Sequence, residues 1–129
     1  MSKNKPTVVI GASPNADRYS FKATESLTKH GHTVYPIGIR AGKINGADII
    51  IDKPILENID TVTLYVGPDN QAAWMDYVFS LKPKRVIFNP GTENPEIEKL
   101  VVSKGIEATQ ACTLVLLSID QYYYDYVCY

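Results

Sequence analysis

The chain has 129 residues, 45% hydrophobic and 21% charged, with a net charge of −1, which fits one soluble globular domain and leaves no room for two. So small a net charge offers no global field to nucleic acid or an anionic membrane, so any anion site must be local. No apolar run nears the ~20 residues that span a bilayer, Met1 to Pro6 lacks the apolar core of a secretory signal, and Cys112 and Cys128 have neither metal spacing nor a disulfide framework; a cytoplasmic protein is expected, without membrane or nucleic-acid partners.

Thr7-Val8-Val9-Ile10, bounded by Pro6 and Gly11, reads as a buried parallel strand. Gly11-Ala12-Ser13-Pro14-Asn15 is a tight turn of small residues, followed by a helical stretch from about Arg18 to His30 that Gly31 closes. Val34-Tyr35-Pro36-Ile37 is the next strand, so the first forty residues form a βαβ unit. The free N–H groups and positive dipole end of such a helix make the preceding turn a ready phosphate site. His30 and His32 flank Gly31 at the other end of the helix, where a protonated imidazole suits the dipole.

Gly38 to Gly46 is a glycine-punctuated loop with two cations, Arg40 and Lys43. Asp48 to Ile51 is expected as a short edge strand, and Pro54 to Glu57 as a brief helical turn. Thr61 to Val66, a run of β-formers, is the clearest strand. Pro68-Asp69 should start a helix with Asp69 as N-cap, and Trp74, Val78 and Leu81 fall on its apolar face. Arg85 to Asn89 is the next strand. Asn94-Pro95-Glu96 is a strong helix start, with Ile97, Leu100 and Val101 as its buried stripe and Lys104-Gly105 as its end. Ile106 to Ala111 reads as a last strand, and Thr113 as the cap of a final short helix.

Strands alternating with helices of this length predict one α/β domain over residues 1–129, a doubly wound parallel sheet of five to six strands with helices on both faces. The Tyr-rich tail, residues 119–129, breaks the alternation. It reads as a final helix and frayed end with surface tyrosines; the alternative is a self-association patch that would make a homodimer.

In such sheets a ligand sits beyond the carboxyl ends of the strands, where the strand order reverses. The turns that reach this crevice place Gly11, Ala12, Ser13, Pro14, Arg18, Ser20, Pro36, Arg40, Lys43, Val66, Pro68, Asn89, Pro90, Gly91 and Cys112 there as candidate binding residues. The dinucleotide fingerprint G-x-G-x-x-G is absent, and no acid ends the second strand to hold ribose hydroxyls, which argues against NAD. Arg40 and Lys43 beyond that strand suit a phosphorylated ribose, as in NADP or coenzyme A. No P-loop occurs.

Gly11-Ala12-Ser13 with Arg18 and Ser20 matches the G-A-S-x-x-x-x-R-x-S pattern of the CoA-binding domain family, and the chain resembles that family onward through Val34-Tyr35-Pro36, Asp60-Thr61-Val62, Phe88 to Glu93 and Ala111-Cys112. The likeness covers roughly Lys5 to Ser118. These are small proteins similar to the N-terminal domain of the succinyl-CoA synthetase alpha subunit. The resemblance implies a Rossmann-like fold, a small-molecule nucleotide ligand (CoA or acyl-CoA), and the glycine turn at its phosphates. Ile37-Gly38-Ile39 departs from the family's usual Val-x-Pro-Val-Asn-Pro course. The synthetase's phosphohistidine belongs to a domain outside this sequence, so ligase chemistry is not implied.

Bland roles compete at each position. Ser13 is a turn serine and Ser20 a first-turn serine before either is a phosphate donor, and Cys112 is a small apolar filler before it is a thiol. Arg18 opposes the helix dipole unless an anion is present. No nucleophile, base and oxyanion donors assemble from these residues. The expected role is a binding protein (carrier, sensor or regulatory module) rather than an enzyme, with an NADP or other adenine-nucleotide binder, or a thiol or acyl transferase using Cys112, as alternatives.

Overall fold

A computed structural model describes residues 4–122. Five strands form one parallel sheet: β1 (Thr7–Ile10), β2 (Val34–Ile37), β5 (Thr61–Leu64), β6 (Arg85–Phe88) and β7 (Glu107–Gln110). The spatial order is β2-β1-β5-β6-β7, so the winding reverses between β1 and β5. The registers are flush: Ile10 pairs with Ile37 and with Leu64, Leu64 with Phe88, and Phe88 with Gln110. Every strand therefore ends on one line, and the loops that follow share one rim.

Strand alternation divides the sheet into two unlike faces. Val8, Ile10, Val62, Leu64, Val86 and Phe88 pack under α2 (Ala72–Leu81) and α3 (Pro95–Ser103) in an aliphatic core that includes Met75, Val78, Leu81 and Val101. The opposite face, under α1 (Tyr19–Lys29) and α4 (Thr113–Ser118), carries Val9 and Ile87 but also the buried polar residues Thr7, Thr61, Thr63, Arg85 and Thr109.

That second face is held by a polar network. The buried Arg85 guanidinium donates from Nε to Thr61 Oγ1 (2.8 Å) and from Nη2 to the Tyr122 carbonyl (2.8 Å), and it lies 4.5 Å from the Tyr122 ring centroid. Tyr122 is 0% exposed, and its hydroxyl bonds Thr7 Oγ1 at 2.7 Å. Lys5 and Asp60 form a buried ion pair at 3.5 Å beside it. The expected surface placement of the tail tyrosines is thus wrong for Tyr122, which is an interior anchor under α1 and α4. The rest of the tail, Tyr123 to Tyr129, lies outside the described residues.

Several local expectations also change. The edge strand at Asp48 to Ile51 is instead a two-residue hairpin of β3 (Lys43–Ile44) with β4 (Ala47–Asp48), and Ile50 makes a single parallel bridge to Ile37. Pro54 to Glu57 form no helical turn; Pro54 instead offers its carbonyl to the Tyr77 hydroxyl at 2.7 Å. Pro68 opens a separate 3-10 turn, Pro68–Asn70, with Gly67 at its N-cap, so Asp69 lies within that turn and caps nothing. Leu100 is 40% exposed, because α3 meets the sheet through Ile97 and Val101, one turn apart. Thr113 is the first residue of α4 after an N-cap at Cys112, and its hydroxyl turns into the sheet to bond Thr63 Oγ1 at 2.8 Å. Asn94 does cap α3, accepting from the Ile97 N–H.

The two histidines differ. His30 caps the end of α1 as expected, donating from Nδ1 to the Ser26 carbonyl at 2.8 Å. His32 is buried, accepts the Lys5 N–H at Nδ1 (2.9 Å) and meets the Tyr122 ring edge-on. Burial first, then the charges of His30, Arg85 and Lys5, lower its pKa to about 4. It is a neutral core residue at pH 7, and the dipole argument does not apply to it.

Candidate functional site

A cleft of about 1130 Å³ opens over the point where the winding reverses. It exceeds the ~300–1,000 Å³ typical of small-molecule pockets, as an extended ligand requires. Its walls are the loops after β1, β2, β5 and β6, which the flush strand ends bring to one level.

The β1 loop is built around Gly11, whose φ is +96°. A Cβ there would stand 2.9 Å from the Tyr65 carbonyl oxygen and 3.1 Å from Val66 Cγ2, so glycine is required where the two halves of the winding meet. Gly38 plays the same part toward β2, since a Cβ would collide with the Ala12 carbonyl oxygen. These contacts narrow the phosphate-loop expectation. The N–H groups of Gly11 and Ala12 both bond the Ile37 carbonyl at 2.9 Å and are not available to an anion. The Asn15 N–H bonds Ser13 Oγ, the Asp17 N–H bonds Asn15 Oδ1, and the Arg18 N–H bonds the Asn15 carbonyl.

The Ser13 N–H of this turn has no acceptor among the described residues, and further donors follow at α1. Arg18 occupies the N-cap without a capping side chain, so among the described residues the N–H groups of the first turn have no side-chain acceptor. Tyr19 and the buried Ser20 of that turn line the cleft. With them stand Arg18 and, from the β2 loop, Arg40. Neither guanidinium has a carboxylate partner among the described residues, whereas Lys5 and Lys43 do.

The far wall comes from Tyr65 to Gly67, the 3-10 turn, and Pro90 to Thr92. Gln71, fully buried behind it, donates from Nε2 to the Val66 carbonyl (3.0 Å) and the Thr92 carbonyl (2.6 Å), tying the two loops together. Trp74 closes this end, backed by Lys53, whose ammonium lies 4.8 Å from the indole centroid. Burial raises the Tyr65 phenol above its ordinary pKa, so it stays protonated at neutral pH.

Of the expected residues, Gly11, Ala12, Ser13, Pro14, Arg18, Ser20, Arg40, Val66, Pro90 and Gly91 line the cleft together. Five do not. Pro36 is buried within β2, and Pro68 sits on the 3-10 turn away from the lining. Lys43 pairs with Asp48 at 2.8 Å on the surface, outside the lining. Asn89 is buried and saturated: it donates to Thr63 Oγ1 and the Leu64 carbonyl and accepts from the Thr113 N–H. Cys112, half-buried at the N-cap of α4, is likewise outside the lining. The residues missed were Asp17, Tyr19, Gly38, Ile39, Tyr65, Gly67, Asp69, Asn70, Ala73, Trp74 and Thr92. Most lie in the turns already singled out, while Trp74 reads in sequence as part of a helix's apolar face. Among the described residues no cluster of metal-ligating side chains occurs, and no helix is long and apolar enough to cross a membrane.

Comparison with known families decides the lineage: the model described as "CoA binding domain" matches residues 5–118. The chain belongs to the CoA binding domain family. Among solved structures it is similar to the crystal structure of an uncharacterized protein, at 48% identity and a TM-score of 0.91 over 93% of this chain and 99% of that one. A hypothetical protein from Pyrococcus horikoshii OT3 is 25% identical, with a TM-score of 0.77 over 88% of this chain and 81% of its own. Prb, a protein redesigned for binding, has the same fold at 21% identity, with a TM-score of 0.81 over 95% of this chain and 87% of its own. No curated protein matches the chain. Family membership points to CoA binding, in keeping with a cleft that offers a helix N-terminus and two arginines.

Proposed function

We propose that this CoA-binding-domain protein binds coenzyme A or an acyl-CoA in the cleft and serves as a carrier, sensor or regulatory module. The observation that carries the reading is the pair of cleft arginines, Arg18 and Arg40, without carboxylate partners among the described residues, beside the uncapped first turn of α1. In this reading the diphosphate lies at the Tyr19 and Ser20 end of α1 with Arg18, because partial positive charge and free N–H groups converge there. Arg40 takes the ribose phosphate that distinguishes CoA and NADP from NAD. The pantetheine arm then runs toward Gly67, Thr92 and Trp74.

Side-by-side titration calorimetry with CoA, dephospho-CoA, NADP and NAD tests this. CoA should bind most tightly, dephospho-CoA more weakly and NAD least. Arg18→Ala should weaken CoA by ~1.5–3 kcal/mol, the range for hydrogen bonds to a charged group, while leaving pantetheine affinity as it was. NAD binding with which CoA does not compete would overturn the reading.

A further inference from the structure

The charges of the cleft are unevenly placed along it. Sheet order sets the order of the lining loops: the β2 loop with Arg40, the β1 loop with Asp17 and Arg18, then the β5 loop with Asp69, and last the β6 loop. The first two loops carry both arginines against one acid. The last two carry one acid and no lining cation.

Asp69 is exposed within the 3-10 turn and forms no ion pair among the described residues. The other residues that the β5 and β6 loops and the start of α2 give to the lining are uncharged. Lys53, the cation beside this end, is not in the lining. Its ammonium donates to the Ala73 carbonyl at 3.2 Å and covers the Trp74 ring.

We propose that Asp69 is a specificity-determining residue that sets the acyl-group charge this cleft accepts: free CoA and thioesters of uncharged acids bind, and thioesters of dicarboxylic acids are disfavoured. The inference rests on the CoA reading above. With the phosphates drawn to the arginine end, the acyl end of the ligand points to the loops after β5 and β6. A carboxylate on that acyl group faces Asp69, while the cation nearest this end, Lys53, is engaged outside the lining by the Ala73 carbonyl and the Trp74 ring. Like charges a few ångströms apart in a partly enclosed cleft disfavour binding by about tenfold.

The experiment is calorimetric titration of the wild type and of the Asp69→Asn and Asp17→Asn variants with CoA, acetyl-CoA and succinyl-CoA, with folding checked by circular dichroism. The readout is the ratio of the succinyl-CoA to the acetyl-CoA dissociation constant. It should be about ten in the wild type, fall toward one in Asp69→Asn, and stay near the wild-type value in Asp17→Asn, since Asp17 lies at the phosphate end. A wild-type ratio near one, a ratio unmoved by Asp69→Asn, or an equal fall in Asp17→Asn would overturn the assignment. Tighter binding of succinyl-CoA by the wild type would overturn it too, and would give the acyl end to Lys53. Failure of CoA itself to bind is a separate result, which removes the CoA reading and this inference together.

Discussion

The two faces of the sheet are stabilised in different ways. Under α2 and α3 the strands present an aliphatic layer whose contribution is area removed from water. Under α1 and α4 the same strands present threonines and an arginine, buried because each finds a hydrogen-bond partner. The first face tolerates any well-shaped hydrophobe. The second depends on a particular set of partners, and it is where the chain after α4 is tied down through Tyr122. An apolar layer gives cohesion; a hydrogen-bonded polar layer fixes which segment docks on it.

Substitutions on each face can break that contrast. The largest loss is expected for Phe88→Ala on the aliphatic face, since emptying a fully buried aromatic site costs ~3–5 kcal/mol. Urea unfolding should show it as a lower midpoint, and a shift below 1 kcal/mol would mean the site collapses around the gap. Next comes Arg85→Met on the polar face. It keeps the apolar stem but removes the donor to the Tyr122 carbonyl and to Thr61 Oγ1, which keeps its own bond to Asp60, at ~1.5–3 kcal/mol for hydrogen bonds to a charged group. If Arg85→Met proves neutral or stabilising, the polar layer is no more demanding than the aliphatic one. Tyr122→Phe removes the hydroxyl bond to Thr7 and should cost ~0.5–1.5 kcal/mol in the same assay.

The smallest effect at neutral pH belongs to His32, and it grows on acidification. Its folded pKa of about 4 lies below the ordinary imidazole value of 6.5, so the unfolded chain takes up a proton that the folded chain refuses. Stability should therefore be unaffected by this group above about pH 6.5 and fall as pH drops from there toward 4. His32→Gln should flatten that part of the profile, with thermal melting from pH 7.5 to 4.5 as the measurement. An unchanged slope in the variant would assign the acid sensitivity to other groups.

Legibility in the sequence followed locality. Strand and helix placement at Thr7 to Ile10, Thr61 to Leu64 and Asn94 onward was readable, because β-branched runs and an Asn-Pro-Glu start act within a few residues. The cleft turns were readable for the same reason, and ten of their candidate residues do meet. Asn89 and Lys43 lie outside the lining, which is not legible in sequence, because a polar residue beside a crevice shows there only its chemistry and not the partners it has in the fold.

What the sequence determined by itself was the alternation of elements, the glycine turn after β1 and the family motif Gly11-Ala12-Ser13 with Arg18 and Ser20. What only the tertiary structure decided was the destination of each donor and charge. The Gly11 and Ala12 N–H groups are consumed by the Ile37 carbonyl, two arginines from separate loops share one cleft, and Tyr122 leaves the expected surface for the core. The physical reason is range: propensity and capping act over a turn of chain, while hydrogen-bond saturation and burial depend on residues such as Thr7 and Tyr122, 115 positions apart, that only the packed fold brings within reach.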